Sequence, residues 1–269
     1  MNESEYEVFA LRYAYRNDNN ASSTFYRFEL YKEPEKQYPV DYFFWVVRNE
    51  HRTVLVDCGY TRARALERGR TLTASPTELL ARIGVAPESV DHVVLSHMHW
   101  DHTGNVGLFP NATFSLARRE FEFWTGPYND RPCLALALGD PELEAIKDLE
   151  RQGRLFLVDN DTHELYPGIR LITSPGHTPG QLITDVTTRT GSVVLASDAL
   201  HFSDEMSLDR PFHVFTDLEG MYRTYGLLRS FAARPRTSVI PGHDPAVTAA
   251  FTEVAENCLD LTTPAGSRA

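Results

Sequence analysis

His97-Met98-His99-Trp100-Asp101-His102 follows the apolar run His92-Val93-Val94-Leu95-Ser96 and precedes Thr103-Gly104-Asn105. A β-branched run followed by polar residues and a glycine predicts a buried strand that ends and turns into a loop or helix. The imidazoles and the carboxylate therefore gather at a strand end. Side chains two apart in extended chain share a face, so His97 and His99 can address one ion while the next turn re-aims Asp101 and His102. Such a cluster suits two adjacent cations.

The chain has 269 residues, 42% hydrophobic and 23% charged. That is the balance of an ordinary soluble globular protein with room for one sizeable core, and we read a single domain over residues 1–269. The formal net charge of −11 argues against a nucleic-acid partner, because it repels phosphate backbones and no Lys/Arg cluster offsets it. No apolar run approaches the roughly 20 residues that span a bilayer, and the acidic start Met1-Asn2-Glu3-Ser4-Glu5 is unlike a signal peptide. A cytoplasmic protein with no membrane partner is expected. Cys58, Cys133 and Cys258 are odd in number and far apart, which predicts reduced, mostly buried thiols rather than a disulfide framework or a thiolate metal site.

Upstream of the motif, residues 7–15, 41–48 and 53–56 are predicted strands. The third is closed by Asp57-Cys58-Gly59, which places the Asp57 carboxylate where it can hydrogen-bond a metal ligand. The polar, aromatic-bearing segment 17–39 reads as a long surface loop near the active site. Ser75-Pro76-Thr77-Glu78, with Leu79, Leu80, Ile83 and then Gly84, is a capped helix. After the motif come a strand over 112–116, a helix over 118–124 and an acidic surface helix over 141–152. Residues 121–139 mix aromatic and aliphatic side chains with Gly and Pro, and are expected to wall part of a pocket.

The second half repeats the pattern of strand and ligand-bearing turn. Strand 169–173 runs into Ser174-Pro175-Gly176-His177, strand 192–196 into Ser197-Asp198, and strand 238–240 into Pro241-Gly242-His243-Asp244, with a helix over 218–234 between the last two. The candidate ligands are then His97, His99, Asp101, His102, His177, Asp198 and His243. Three His at one ion, an Asp and two His at the other, and a bridging Asp198 complete a two-metal set with ions roughly 3.5 to 4 Å apart. Asp198 as a helix cap, or His177 as a turn residue, explains either one alone but not the set.

These residues resemble the metallo-β-lactamase superfamily, whose His-x-His-x-Asp-His motif and later His, Asp and His have counterparts here in order, within a stretch from Tyr42 to Asp244. The resemblance implies an α/β protein, a four-layer αββα sandwich with the site on one edge of its two sheets. The run from Pro39-Val40-Asp41-Tyr42 to Val56-Asp57-Cys58-Gly59, with Leu95-Ser96-His97, is similar to the N-acyl homoserine lactonase branch. That likeness implies a quorum-quenching hydrolase, two divalent ions (Zn2+, with Mn2+, Co2+ or Fe2+ as alternatives), a small-molecule substrate and a homodimer. Periplasmic β-lactamases need a signal peptide, glyoxalase II-like thioesterases carry a helical domain where only a short tail follows His243, and RNA-processing relatives prefer basic surfaces. One position departs from the branch. Its lactonases place a Tyr three residues after the bridging Asp, where this chain reads Asp198-Ala199-Leu200-His201.

Two such ions lower the pKa of bound water to about 7, so the expected reaction is opening of a lactone or related cyclic ester by a metal-bridging hydroxide. Asp101 is expected to orient the nucleophile and pass its proton to the leaving oxygen, and a neutral His201 imidazole to donate to the carbonyl. A thioester, amide or other ester is the alternative substrate. A metal-binding protein without turnover is the alternative class.

Overall fold

Residues Val40–Arg48 form a strand that is buried along almost its whole length, because both of its faces are covered. Tyr42, Phe44 and Val46 pack on one side with Leu79, Leu80, Trp124 and Ile146 from helices. Phe43, Trp45 and Val47 point the other way, against Ile169, Leu171, Leu182, Val193 and Leu195 of a second sheet. The period-two alternation of a strand, with apolar residues at both phases, thus dictates a layered sandwich.

A computed structural model describes residues 2–266. Its strands are β1 (Glu7–Arg16), β2 (Val40–Arg48), β3 (Thr53–Val56), β4 (Thr71–Leu72), β5 (His92–Val94), β6 (Thr113–Ala117), β7 (Leu155–Val158), β8 (Thr162–Tyr166), β9 (Ile169–Thr173), β10 (Leu182–Thr188), β11 (Gly191–Ser197), β12 (Thr237–Pro241), β13 (Phe251–Ala255) and β14 (Cys258–Pro264). The first sheet runs β13-β14-β1-β2-β3-β5-β6-β7, with β4 paired to β1, and the second runs β12-β11-β10-β9-β8. Helices Pro76–Arg82, Arg118–Thr125 and Asp140–Arg151 cover the outer face of the first sheet. Helix Leu218–Ala232 covers the second through Met221, Tyr225, Leu228 and Phe231. The result is the αββα sandwich.

Local signals hold where they were strongest. Ser75 caps its helix, its hydroxyl accepting from the Glu78 N–H while Glu78 accepts from the Ser75 N–H at 2.8 Å. Strand β5 stops at Val94, two residues short of the run read from sequence.

Three expectations need correction. Segment 17–39 is more than a surface loop: helix Ala21–Thr24 and a 3-10 turn at Phe28–Tyr31 enclose a small core of Ala21, Phe25 and Phe28, since aromatic side chains on a long connection gain by burial. The stretch after His243 is not a bare tail. Helix Ala246–Ala250 leads into β13 and β14, and β14 pairs with β1 to extend the first sheet. Cys133 is exposed while Cys58 and Cys258 are buried, because it sits on a short helix, Pro132–Ala135, with no buried side chain. Among the described residues no helix is long and apolar enough to cross a membrane.

Candidate metal centre

The ligand residues come from both sheets. After β5, the chain runs through Ser96 and His97 to His99, whose extended backbone begins the short helix Trp100–Thr103 and turns Asp101 and His102 inward. From the second sheet, His177 lies in the turn between β9 and β10, Asp198 directly follows β11 and His243 follows β12. A Cβ on Gly176 would sit 2.5 Å from the Met221 nitrogen, so the glycine before His177 lets helix Leu218–Ala232 close on this turn.

All seven sequence candidates converge, in two groups. His97, His99, His177 and Asp198 form one, and Asp101, His102 and His243 the other, with the ligating atoms of each within 4.8 Å of one another. Asp198 faces both groups. Its Oδ2 lies 3.8 Å from His97 Nε2 and 3.4 Å from His177 Nε2, and its Oδ1 lies 3.2 Å from His102 Nε2 and 2.9 Å from His243 Nε2.

The outward ring nitrogens say what the inward ones carry. His243 Nδ1 donates to the Asp41 carbonyl at 2.8 Å, His177 Nδ1 to the Val214 carbonyl at 2.9 Å and His102 Nδ1 to Asp57 Oδ2 at 2.8 Å. In a neutral imidazole the Nε2 atoms are then lone pairs aimed at a carboxylate. Lone pairs at that range repel unless positive charge stands between them. His97 Nε2, His102 Nε2 and Asp198 Oδ1 are buried without a well-directed hydrogen bond among the described residues. This donor set of nitrogen and carboxylate oxygen fits divalent cations.

Electrostatics agree. Burial pushes His97 and His177 well below the ordinary imidazole range and His99 down to about 3, which keeps them in the neutral, ligating form. Burial also disfavours charge on His102, but Asp198, Asp57 and Asp101 outweigh it and raise this group well above its usual value. Burial would raise Asp198, yet His243, His102 and His201 hold its carboxyl well below the usual range. The cluster demands positive charge beside its carboxylates.

Asp57 is the hub beneath it. Fully buried, it accepts from the Ser96 N–H at 2.8 Å, from the hydroxyls of Ser96 and Ser197 at 2.9 Å, and from His102. Ser96 Oγ in turn lies 2.9 Å from His97 Nδ1, so one carboxylate orients a ligand of each group.

Two further carboxylates escaped the sequence reading. Buried Glu120 accepts from the Met98 N–H at 3.0 Å, the Gly180 N–H at 2.9 Å and Trp124 Nε1 at 2.7 Å, clamping the turns that carry His99 and His177. Glu120 and Trp124 are four apart on one helix face, and that shared phase was the available signal. Buried Glu205 accepts from the His201 and Phe202 N–H groups at 2.7 and 2.8 Å and from the Tyr225 hydroxyl at 2.6 Å.

His201 is buried on the cavity wall, its ring stacked on Phe212 at 3.7 Å. Its Nε2 lies 3.1 Å from Asp198 Oδ2 and its Nδ1 3.2 Å from Glu205 Oε1. Burial lowers its pKa, but Asp198 and Glu205 outweigh that and raise it to about 9. The neutral imidazole read from sequence belongs to a ring beside bound cations, whose charge opposes the pull of these two carboxylates. A cavity of about 570 Å3 opens above the cluster, walled by Tyr42, Trp100, Trp124, Leu134, Phe202 and Phe212 and reached by Asn19 and Ser23 of segment 17–39.

Among curated proteins, the N-acyl homoserine lactonase AttM of Azorhizobium caulinodans is 32% identical over 170 residues, 61% of this chain and 61% of that protein. The chain thus spans about three fifths of the length of this relative. Among solved structures, AidC, described as a dizinc quorum-quenching lactonase, superposes with a TM-score of 0.70 at 22% identity over 94% of this chain and 92% of its own. AbOPH, described as a hydrolase in the beta lactamase superfamily, gives 0.73 at 23% over 91% and 89%. Both likenesses show the fold. A family profile for the Metallo-beta-lactamase superfamily matches residues 38–243, and with the fold and the ligand-bearing strand ends in place, the chain belongs to that superfamily.

Proposed function

We propose that this protein is a dinuclear metal-dependent hydrolase that opens a lactone or related cyclic ester, with zinc as its metal and His97, His99, Asp101, His102, His177, Asp198 and His243 as ligands. The observation that carries the reading is the pair of ligand groups facing the two oxygens of Asp198 at the floor of an apolar-walled cavity. The N-acyl homoserine lactonase activity named for the curated relative supports it.

When bound, two such ions supply a polarised carbonyl and a water acidic enough to attack near neutrality. The protein's own groups do the rest. Asp198 holds the two ligand groups in register, and Asp57 fixes the ring orientation of His102. Asp101, whose side chain is 13% exposed at the cavity floor, accepts the proton of the attacking water on a carboxylate oxygen and returns it to the departing ring oxygen. His201 Nε2 donates to the substrate carbonyl oxygen, held in place by Phe212 and Glu205. The aromatic wall excludes water from the acyl side of the ester.

Elemental analysis of the purified protein, with hydrolysis of matched lactones, thioesters and amides by zinc-, manganese-, cobalt- and iron-loaded samples, tests this. Two ions per chain and preferential lactone opening are expected. A protein that binds one ion, or opens none of these substrates, would overturn the reading.

A further inference from the structure

Two arginines on the cavity wall are held by neutral groups alone. Arg68 caps helix Arg62–Glu67, and Arg70 lies just before β4. Arg68 donates from Nη2 to the Leu136 carbonyl at 2.8 Å, and its guanidinium lies over Trp100, 5.3 Å from the ring centroid. Arg70 donates from Nε to the Tyr42 hydroxyl at 2.8 Å and from Nη1 to the Arg68 carbonyl at 2.6 Å. Elsewhere Arg12, Arg48, Arg52 and Arg64 each find a carboxylate. Arg68 and Arg70 form no ion pair among the described residues, although the chain holds 37 acidic side chains against 26 basic ones. The acid whose field Arg70 does feel, Asp18, is bonded to Arg16 at 2.6 Å and is 79% exposed.

Their position matters as much as their charge. Trp100 stands in the chain between His99 and Asp101, and the Tyr42 ring lies 5.0 Å from that of His243. Each guanidinium is therefore one aromatic ring away from the ligand cluster. Arg68 Nε is also buried without a hydrogen-bond partner among the described residues. An uncharged acyl chain laid on this wall offers the guanidiniums no counter-charge, whereas a carboxylate meets their accessible donors with charge-assisted bonds.

We propose that Arg68 and Arg70 bind a carboxylate on the substrate, so that the cyclic ester opened here carries an anionic side chain whose end they grip while its ring carbonyl lies among the ligands. This rests on the hydrolase reading above. The acid is recognised by guanidiniums already fixed by Tyr42, Trp100 and the Leu136 carbonyl, so little ordering remains at binding.

The test uses zinc-loaded protein and homoserine lactones N-acylated with dicarboxylic acids from succinic to suberic, each as the free acid and as its methyl ester. The best acid should exceed its ester in kcat/KM by about tenfold or more, a modest figure for a site built around a polar group. In Arg68→Gln/Arg70→Gln that ratio should fall close to one with zinc content retained. Calorimetric titration with monomethyl adipate gives a second readout, and its affinity should drop about tenfold in the double variant. Should that variant not fold, Arg68→Gln alone, which leaves Arg70 on Tyr42, reads the same ratio. Equal rates for acid and ester in the unaltered protein, or a preference that survives the substitutions, overturn the proposal. If no lactone is opened at all, the hydrolase reading fails. The arginine pair is then judged by calorimetry, where undiminished monomethyl adipate binding in the variant overturns it and weakened binding supports it.

Discussion

Asp57→Asn isolates what one buried carboxylate does for the metal centre. The residue has φ of 62°, a left-handed conformation that asparagine tolerates and alanine resists, so the backbone is kept. Its Oδ1 accepts from the Ser96 N–H, and its Oδ2 from two serine hydroxyls and from His102 Nδ1. The hydroxyls can rotate and accept from an amide. The Ser96 N–H and His102 Nδ1–H cannot, and asparagine offers one oxygen for the two of them. One buried donor is left facing an NH2 group, at about 1–3 kcal/mol, and Tm falls by roughly 2–4 °C for each kcal/mol in a domain of this size. Ser96 is fixed by the chain and by the Leu182 N–H on its carbonyl, so the loss falls on His102, whose ring can turn. A ligand freed from its orienting partner costs about 10–100-fold in metal affinity. His102 groups with Asp101 and His243, so the ion of that group should weaken first. Stepwise zinc competition against a fluorescent chelator, with thermal unfolding alongside, reads both effects. Two zinc ions held with unaltered affinity, at unaltered Tm, would refute the role given to Asp57.

Asp198→Ala should keep at most one zinc per chain and lose nearly all lactone hydrolysis, and a fully active protein holding a single ion would overturn the two-ion assignment. His201→Ala should lower kcat by up to about a hundredfold at saturating zinc, with zinc content intact; an unchanged kcat would remove His201 from the reaction. His92, bonded through its two ring nitrogens to the Thr113 and Ser115 hydroxyls at 2.7 and 2.8 Å, is lowered by burial to about 4. Because that lies below the unfolded value of about 6.5, its contribution is intact above pH 6.5 and is lost as pH falls toward 4, by up to about 3 kcal/mol. His92→Gln should flatten the decline of Tm across that window in calorimetry, and an equally steep decline would show that His92 titrates no differently folded or unfolded.

Strand-end residues were legible because an apolar run broken by Gly, Pro or a polar residue marks where a strand stops, and the site lies where strands stop. Asp57 could be placed on the same ground. Glu120 could not: within Arg118-Arg119-Glu120 it reads as a solvated helix start, and only the approach of the Met98 and Gly180 amides buries it. Glu205 likewise follows Ser203-Asp204 as an ordinary first-turn acid until the chain folds it under His201. Arg68 and Arg70 lie about 30 residues before the ligand motif, in a stretch with no periodicity to announce a wall. Burial by a distant segment leaves little local trace, which is why the ligands and Asp57 were found while Glu120, Glu205 and the two arginines were not.

Those supports explain how the two sheets bring the centre together. The motif residues hang from the first sheet and His177, Asp198 and His243 from the second, so each ligand group closes only if the sheets meet in register. Hydrogen bonds between the sheets fix that register at the site itself. The Leu182 N–H reaches the Ser96 carbonyl at 2.8 Å, the Ser197 hydroxyl reaches Asp57, and Asp41 and His243 exchange bonds in both directions, backbone N–H to carbonyl one way and Nδ1–H to carbonyl the other. Glu120 adds a carboxylate held by Met98 on one side and Gly180 on the other. Each contact lies beside a ligand rather than in the body of the core. What the described residues leave unmet at the site itself includes His97 Nε2, His102 Nε2 and Asp198 Oδ1, buried without a well-directed hydrogen bond. A preorganised cluster of this kind spends little of its binding energy on ordering the chain, so cation affinity is set chiefly by the carboxylates and neutral imidazoles and by what holds their outward atoms.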